Sequence, residues 1–359
     1  MKVDYKIEKK EGPYINATLT IPYDVFKKTY EDLLKREAEK IDAKGFRKGK
    51  VPAEMLDDQI KHMLSLEALE KVTPSYLTEL INTEKIELIA PPEYTQLPDL
   101  TKEEDLELKI KFTTLPEYKL GDIKKIKVDI EDATVKKEEI DNTISEMFTR
   151  SALEGKGQTP DDKWAKETAG LYKLEGVKDL KGLQGEVTKL LQKEKERIVK
   201  QNAEHSAMTQ AIKLSNIEVP KEAVEFEARE REKAFLNELQ NANMTLEDFC
   251  KNNNTKIEDL RETWMKDAKE ALEADALLKL FGKTKDIKVT DKELEEGIEN
   301  IKKSRGDQLP ENVEKDPIWR NNIKNVIIKQ KAYEKLMKEV LKEKKEEVKS
   351  KKTDTKKKK

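Results

Sequence analysis

Two histidines, one cysteine and many carboxylates are the residues from which this chain could assemble catalysis. His62, His205 and Cys250 lie far apart in sequence. They form neither a metal-ligand cluster nor a histidine-based triad at any workable spacing. His62 follows Lys61, and His205 stands in a polar helical stretch, so both read as surface or partly buried residues without a chemical task. The carboxylates sit beside lysines at helical spacing, as on solvated helix faces, and choosing two of them as an acid and a base would be arbitrary. Neither GxGxxG nor GxxxxGK[ST] occurs, so no nucleotide phosphate is cradled. No catalytic residue, metal ion or cofactor is expected.

One short segment does concentrate recognition chemistry: Gly45-Phe46-Arg47-Lys48-Gly49-Lys50-Val51-Pro52. Its two glycines allow sharp turns, and Pro52 fixes φ where a following helix would begin. Between the turns lie one aromatic ring and several cations. Phe46 can tuck back onto its own domain while the lysines are merely solvated. Alternatively it can anchor in a partner's pocket, with Arg47, Lys48 and Lys50 meeting carboxylates or RNA phosphates. The residues alone leave both readings open.

The elements that must hold this segment are legible from periodicity. Val3, Tyr5 and Ile7, then Ile15, Ala17, Leu19 and Ile21, alternate as two strands around the turn Glu11-Gly12-Pro13. From Asp24 to about Ile41 the period becomes helical, and a second helix is predicted from about Ala53 to Asn82. The apolar segment Ile86–Ile89 ends in Ala90-Pro91-Pro92, and Leu106, Leu108, Ile110 and Phe112 alternate as a further strand. The result is a ββααββ domain over residues 1–116, with an extended connector over 117–133. Helical periodicity dominates residues 134–348. Helix starts are marked at Thr245, Thr255 and Thr290, with Pro220 in a first turn. Breaks are expected at Gly155–Pro160, Gly170–Gly185, Gly282–Asp286 and Gly306–Pro317. The Lys-rich stretch 349–359 is predicted to be disordered. The predicted fold is therefore mainly α with an α+β N-terminal domain, continuing into an elongated helical body with arm-like extensions.

Composition agrees. Charged residues make up 41% of the 359 and hydrophobic residues 36%, a balance suited to helices with much of their surface in water. From Lys335 onward there are twelve lysines against five carboxylates. That is a balance of +7, so residues 1–334 carry −9 within the total of −2. A mildly acidic body excludes a general nucleic-acid binder, and any RNA contact must be local. One cysteine excludes an internal disulfide. The first residues lack an apolar signal region, and no run approaches a membrane span, so a cytoplasmic protein is expected.

Gly45, Phe46, Arg47, Gly49 and Pro52 match the pattern GFRxGxxP, and the segment resembles the ribosome-docking signature of the bacterial trigger factor family. Its context is similar too: a hairpin and a helix precede it and a long helix follows. Glu87–Tyr94, Phe112–Tyr118 and Ile217–Pro220 also resemble family segments. The likeness covers most of residues 1–345, specific at the loop and diffuse in the helices. It implies a ribosome-associated chaperone that uses no ATP. Such a protein docks at the exit tunnel of the large ribosomal subunit, against a rim protein and nearby RNA, and cradles unfolded nascent chains. Gly45, Phe46, Arg47, Lys48, Gly49, Lys50 and Pro52 would form the docking loop. Free relatives can dimerise, but no residue here picks out a dimer surface.

One departure is large. The family usually carries an FKBP-like peptidyl-prolyl isomerase domain after the connector helix, which Thr134–Arg150 resembles. Here Ser151–Asp162 leads straight into Lys163-Trp164-Ala165-Lys166, with no room for the roughly 100 residues that such a domain needs. An isomerase with an unrecognised site, and a helical scaffold that never meets ribosomes, are the rival readings.

Overall fold

The structure, a computed structural model, describes residues 3–40, 56–150, 159–306, 309–310 and 312–356, with side chains described as far as residue 341. The chain divides into two compact units. One comprises Met1–Tyr118 and Glu218–Ala276, the other Lys119–Ile217 and Leu277–Lys359.

The first unit is built on an antiparallel sheet of order β1-β2-β4-β3, with β1 at Asp4–Glu11, β2 at Tyr14–Ile21, β3 at Glu93–Gln96 and β4 at Leu106–Thr113. Gly12 turns the first hairpin at φ +58°, a conformation in which a Cβ would be strained. In the central pair Ala17 stands opposite Ile110, Leu19 opposite Leu108 and Ile21 opposite Leu106. All six are buried, so the alternation read in the sequence is the buried face of the sheet. Helices α1 (Tyr23–Ala38) and α2 (Asp58–Glu84) cover that face through Phe26, Leu33, Leu69, Val72, Tyr76 and Leu80. The β1 register slips between Ile7 and Lys9 as a bulge. The third strand of the motif is the exposed Glu-Tyr-Thr-Gln of β3; the apolar Ile86–Ile89 segment makes only an isolated bridge, Leu88 to Thr114.

Within the same unit, α6 (Lys221–Asn241), α7 (Leu246–Asn253) and the first part of α8 (Ile257–Thr284) pack together. Val224, Ala228 and Ala268 are buried, and Phe235 meets Phe249 and Trp264 at centroid distances of 5.0 and 5.6 Å. The Thr245 hydroxyl accepts the Asp248 N–H, as its spacing predicts, whereas Pro220 is the N-cap of α6 and not part of its first turn.

The second unit contains α3 (Lys137–Thr149), α4 (Asp162–Leu171), α5 (Leu180–Leu214), the end of α8, α9 (Asp291–Arg305) and α10 (Pro317–Lys356). Trp164, Ala165, Leu183 and Val187 form a small core with Ile144. Gly170, Gly182, Gly185 and Gly282 lie inside helices, so the breaks expected there are narrower than predicted. The helix α10 is described through Lys356. Its C-terminal stretch is rich in lysine and glutamate, which favour helix, and has no glycine or proline to stop it. Among the described residues no helix is long and apolar enough to cross a membrane.

Candidate functional site

Gly45, Phe46, Arg47, Lys48, Gly49, Lys50 and Pro52, the residues expected to form a docking loop, lie outside the described residues. The structure gives their frame. The preceding helix α1 packs on α2, and Asp57 caps α2 by accepting the Gln59 N–H at 2.8 Å. Leu56, the first described residue after the segment, is buried. His62 and His205 are both exposed, and Cys250 is buried. Among the described residues no group of His, Cys, Asp or Glu could hold a metal ion.

A different site emerges in the second unit, one that single residue types do not announce. The connector after Tyr118 is strapped antiparallel along α5 by three polar contacts. The Gly121 N–H donates to Ser215 Oγ at 3.0 Å. Lys127 and the Gln210 amide exchange two hydrogen bonds, its N–H donating at 2.9 Å and its carbonyl accepting at 2.6 Å. Lys195 Nζ donates to the Thr134 carbonyl at 3.0 Å and to Glu139 at 2.8 Å. The segment is laid along a helix, with a short 3-10 turn at Ile123–Lys125.

This strap forms one wall of an open cleft of about 710 Å³. Ile130, Glu131 and Ala133 come from the strap. Glu196, Val199, Lys200, Ala203 and Glu204 come from one face of α5, and Tyr333, Glu334, Met337, Lys338 and Leu341 from one face of α10. The floor is apolar and the rim is charged, with four carboxylates against two lysines. Burial first, then the hydrogen bond and charge of Glu204, push the Tyr333 hydroxyl up to about 12, so it is a neutral donor at physiological pH. An apolar floor inside a charged rim suits reversible binding of apolar side chains.

A smaller hollow of about 450 Å³ lies beside it in sequence, lined by Met147, Leu174, Val187, Leu190 and Leu191 with Glu146 and Arg150. Next to its lining residue Tyr172, Leu171 is 82% exposed. Sequence reasoning missed both hollows. The spacing of Val199 with Ala203, and of Tyr333 with Met337 and Leu341, reads equally as ordinary helix core.

The family model for bacterial trigger factor protein matches residues 3–147, and that for the trigger factor C-terminus matches residues 179–356. The trigger factor of Bacillus licheniformis is 23% identical over 400 aligned positions, covering 84% of this chain and 94% of that protein. Those of Bacillus pumilus and Bacillus subtilis are 32% and 29% identical over 148 residues, about 41% of this chain. These two matches span only about a third of the relatives' length, 35% in each case. A solved structure of the trigger factor chaperone, described for promiscuous substrate recognition in folding and assembly, aligns at 16% identity with a TM-score of 0.47. It covers 95% of this chain and 100% of that one. With both family models matched and only residues 148–178 between them, this chain belongs to the bacterial trigger factor family.

Proposed function

We infer that this chain is a ribosome-associated chaperone that binds and releases unfolded nascent polypeptides without ATP. The observation that carries the client-binding part is the cleft of about 710 Å³ with an apolar floor and a charged rim, in a chain of this family. Scattered apolar contacts at roughly 25 cal/mol per Å² are individually weak and jointly sufficient. The charged rim keeps the empty cleft hydrated and lets clients leave. Docking through Phe46, Arg47 and Lys48, on a turn shaped by Gly45, Gly49 and Pro52, places the chain at the exit tunnel of the large subunit. There it meets a rim protein and ribosomal RNA. Such tethering raises the local concentration of the cleft, so weak affinity serves.

The chain is read as non-enzymatic and cytoplasmic. Residues 148–178, between the two family matches, are too few for an isomerase domain of about 100 residues. The test is cosedimentation with purified large subunits, together with suppression of aggregation of a denatured client. The intact protein sediments with the subunit, and the triple variant Phe46→Ala, Arg47→Ala, Lys48→Ala does not. An intact protein that stays in the supernatant at low salt would end the docking assignment.

A further inference from the structure

We propose that Tyr333 is a specificity-determining residue of the cleft between the strap, α5 and α10: its hydroxyl oxygen accepts one backbone N–H of an unfolded segment, so the cleft takes extended chain and turns away preformed helix. The proposal rests on the reading of this cleft as the client site. Its floor is almost wholly apolar. Val199 and Ala203 of α5 and Met337 and Leu341 of α10 supply it, and Ala203 and Met337 are buried. Tyr333 stands half-buried among them. Its hydroxyl keeps its proton at physiological pH and donates it to Glu204 on α5, and Lys200 Nζ lies 3.7 Å from that carboxylate. With its single hydrogen committed in this way, the phenol oxygen can accept a further hydrogen bond but cannot offer one.

The strap shows how α5 already holds extended chain. Ile126 and Val128 are buried, while Lys127 between them is exposed. The Gln210 side chain satisfies both the N–H and the carbonyl of Lys127. A polar side chain on a helix thus stands in for a β ladder along one residue of chain. Ile130, two residues beyond Val128, is exposed and forms part of the cleft wall. The cleft is therefore continuous with an interface that extended chain already makes on α5. From Glu196 to Glu204 it follows about 12 Å of helix, room for roughly three or four extended residues.

An extended segment laid on that floor carries its backbone N–H groups into apolar surroundings, where each needs a partner. Tyr333 supplies one. A helix has already paired those groups internally, and its apolar face would cover the phenol oxygen with carbon. The floor side chains provide affinity for any apolar segment, and the hydroxyl decides which backbone conformation can use it.

The experiment uses the full chain and a fluorescein-labelled octapeptide, a leucine-valine-leucine core flanked by serines, with binding read by fluorescence anisotropy. Each backbone amide of the core is replaced in turn by an ester, which removes the N–H and keeps the side chains. One ester should weaken binding to the intact protein by about fivefold, the size of a single hydrogen bond, and the others by much less. Tyr333→Phe should bind the parent peptide about fivefold more weakly and should bind that ester no worse than the parent. A variant that weakens parent and ester alike, keeping their ratio, has lost packing alone and overturns the proposal. Equal binding of the parent and every ester by the intact protein overturns it as well, without recourse to any variant. So does tighter binding of the same core held in a stapled helix, which would assign the cleft to a partner helix. A parent peptide that the intact protein fails to bind removes the client reading of the cleft, and the role of Tyr333 with it. Indifference to the esters with the parent still bound removes the role of Tyr333 alone.

Discussion

Lys111 Nζ lies 3.0 Å from Glu222 Oε1, joining the middle of β4 to the first turn of α6 across more than a hundred residues of sequence. The Tyr14 hydroxyl donates to the other carboxylate oxygen at 2.9 Å, and Lys111 also stands 4.3 Å from the Tyr14 ring centroid. The Glu222 carboxyl is held below the usual range first by its own backbone N–H, with Lys111 and Tyr14 adding to the effect against desolvation. This clasp, with the Tyr118 hydroxyl donating to the Glu218 carbonyl, is why α6 belongs to the same unit as the sheet.

Replacing Glu222 by Gln leaves the tyrosine an acceptor but removes the charge beside Lys111. The pair is partly exposed, so the cost is set at about 1 kcal/mol, or roughly 2–4 °C in melting temperature for a unit of this size. Differential scanning calorimetry of the full chain reads it, and high salt should shrink the difference.

Gly121 tolerates no side chain. A Cβ there would lie 2.2 Å from the Leu214 carbonyl oxygen, which is backbone and cannot swing aside. Gly121→Ala should cost about 1–3 kcal/mol and loosen the strap that walls the cleft. The urea midpoint should fall with little change in slope.

Glu293 links acid pH to the packing of α9 on α10. Lys331 first, then the Thr290 N–H and hydroxyl, hold its carboxyl at about 2, against an ordinary value of 4.5. Because the folded-state value is the lower one, this contribution is complete above 4.5 and fades as pH falls from there toward 2. Glu293→Gln should be less stable at neutral pH and should lose less stability on acidification. Chemical denaturation at several pH values between 2 and 7 gives the comparison.

The cleft floor should govern client affinity. Val199→Ala with Met337→Ala removes apolar area while leaving the rim charges in place. Affinity for an unfolded client should drop by about tenfold, equivalent to about 1.4 kcal/mol. Fluorescence anisotropy with a labelled, permanently unfolded client measures it, while ribosome cosedimentation should not change.

A proline-tetrapeptide assay should show isomerisation at the uncatalysed rate. Acceleration that disappears on truncating the helices around residues 148–178 would revive the enzymatic alternative.

What the sequence reveals depends on whether one face of an element is buried. Leu106, Leu108, Ile110 and Phe112 alternate because every second residue enters the core, and the strand is plain. The edge strand Glu93–Gln96 is exposed throughout and leaves no such trace. Glycines mislead in a different way. Gly282 resembles a helix break, yet α8 continues through it, and its missing side chain leaves room for Ile328, whose Cγ2 a Cβ would meet at 2.9 Å. Gly297 similarly admits Ile327 against α9. The connector's path depends on Ser215, Gln210 and Lys195, single polar residues whose partners lie 61 to 94 positions away, and no periodicity encodes that. The segment expected to dock, residues 45–52, is plain as a motif and lies outside the described residues. Val326 keeps helical spacing with the core residues of α10 and is nevertheless 58% exposed.

The two borders of the sheet bear on the company this protein is inferred to keep. An unfolded chain is an adhesive strand in search of a ladder, and an open, flat border would extend it into a growing stack. One border here is β1, interrupted by its bulge and dense in lysine and glutamate; the other is β3, only four residues long. Neither margin therefore offers an unfolded chain a long, flat backbone template on which to stack.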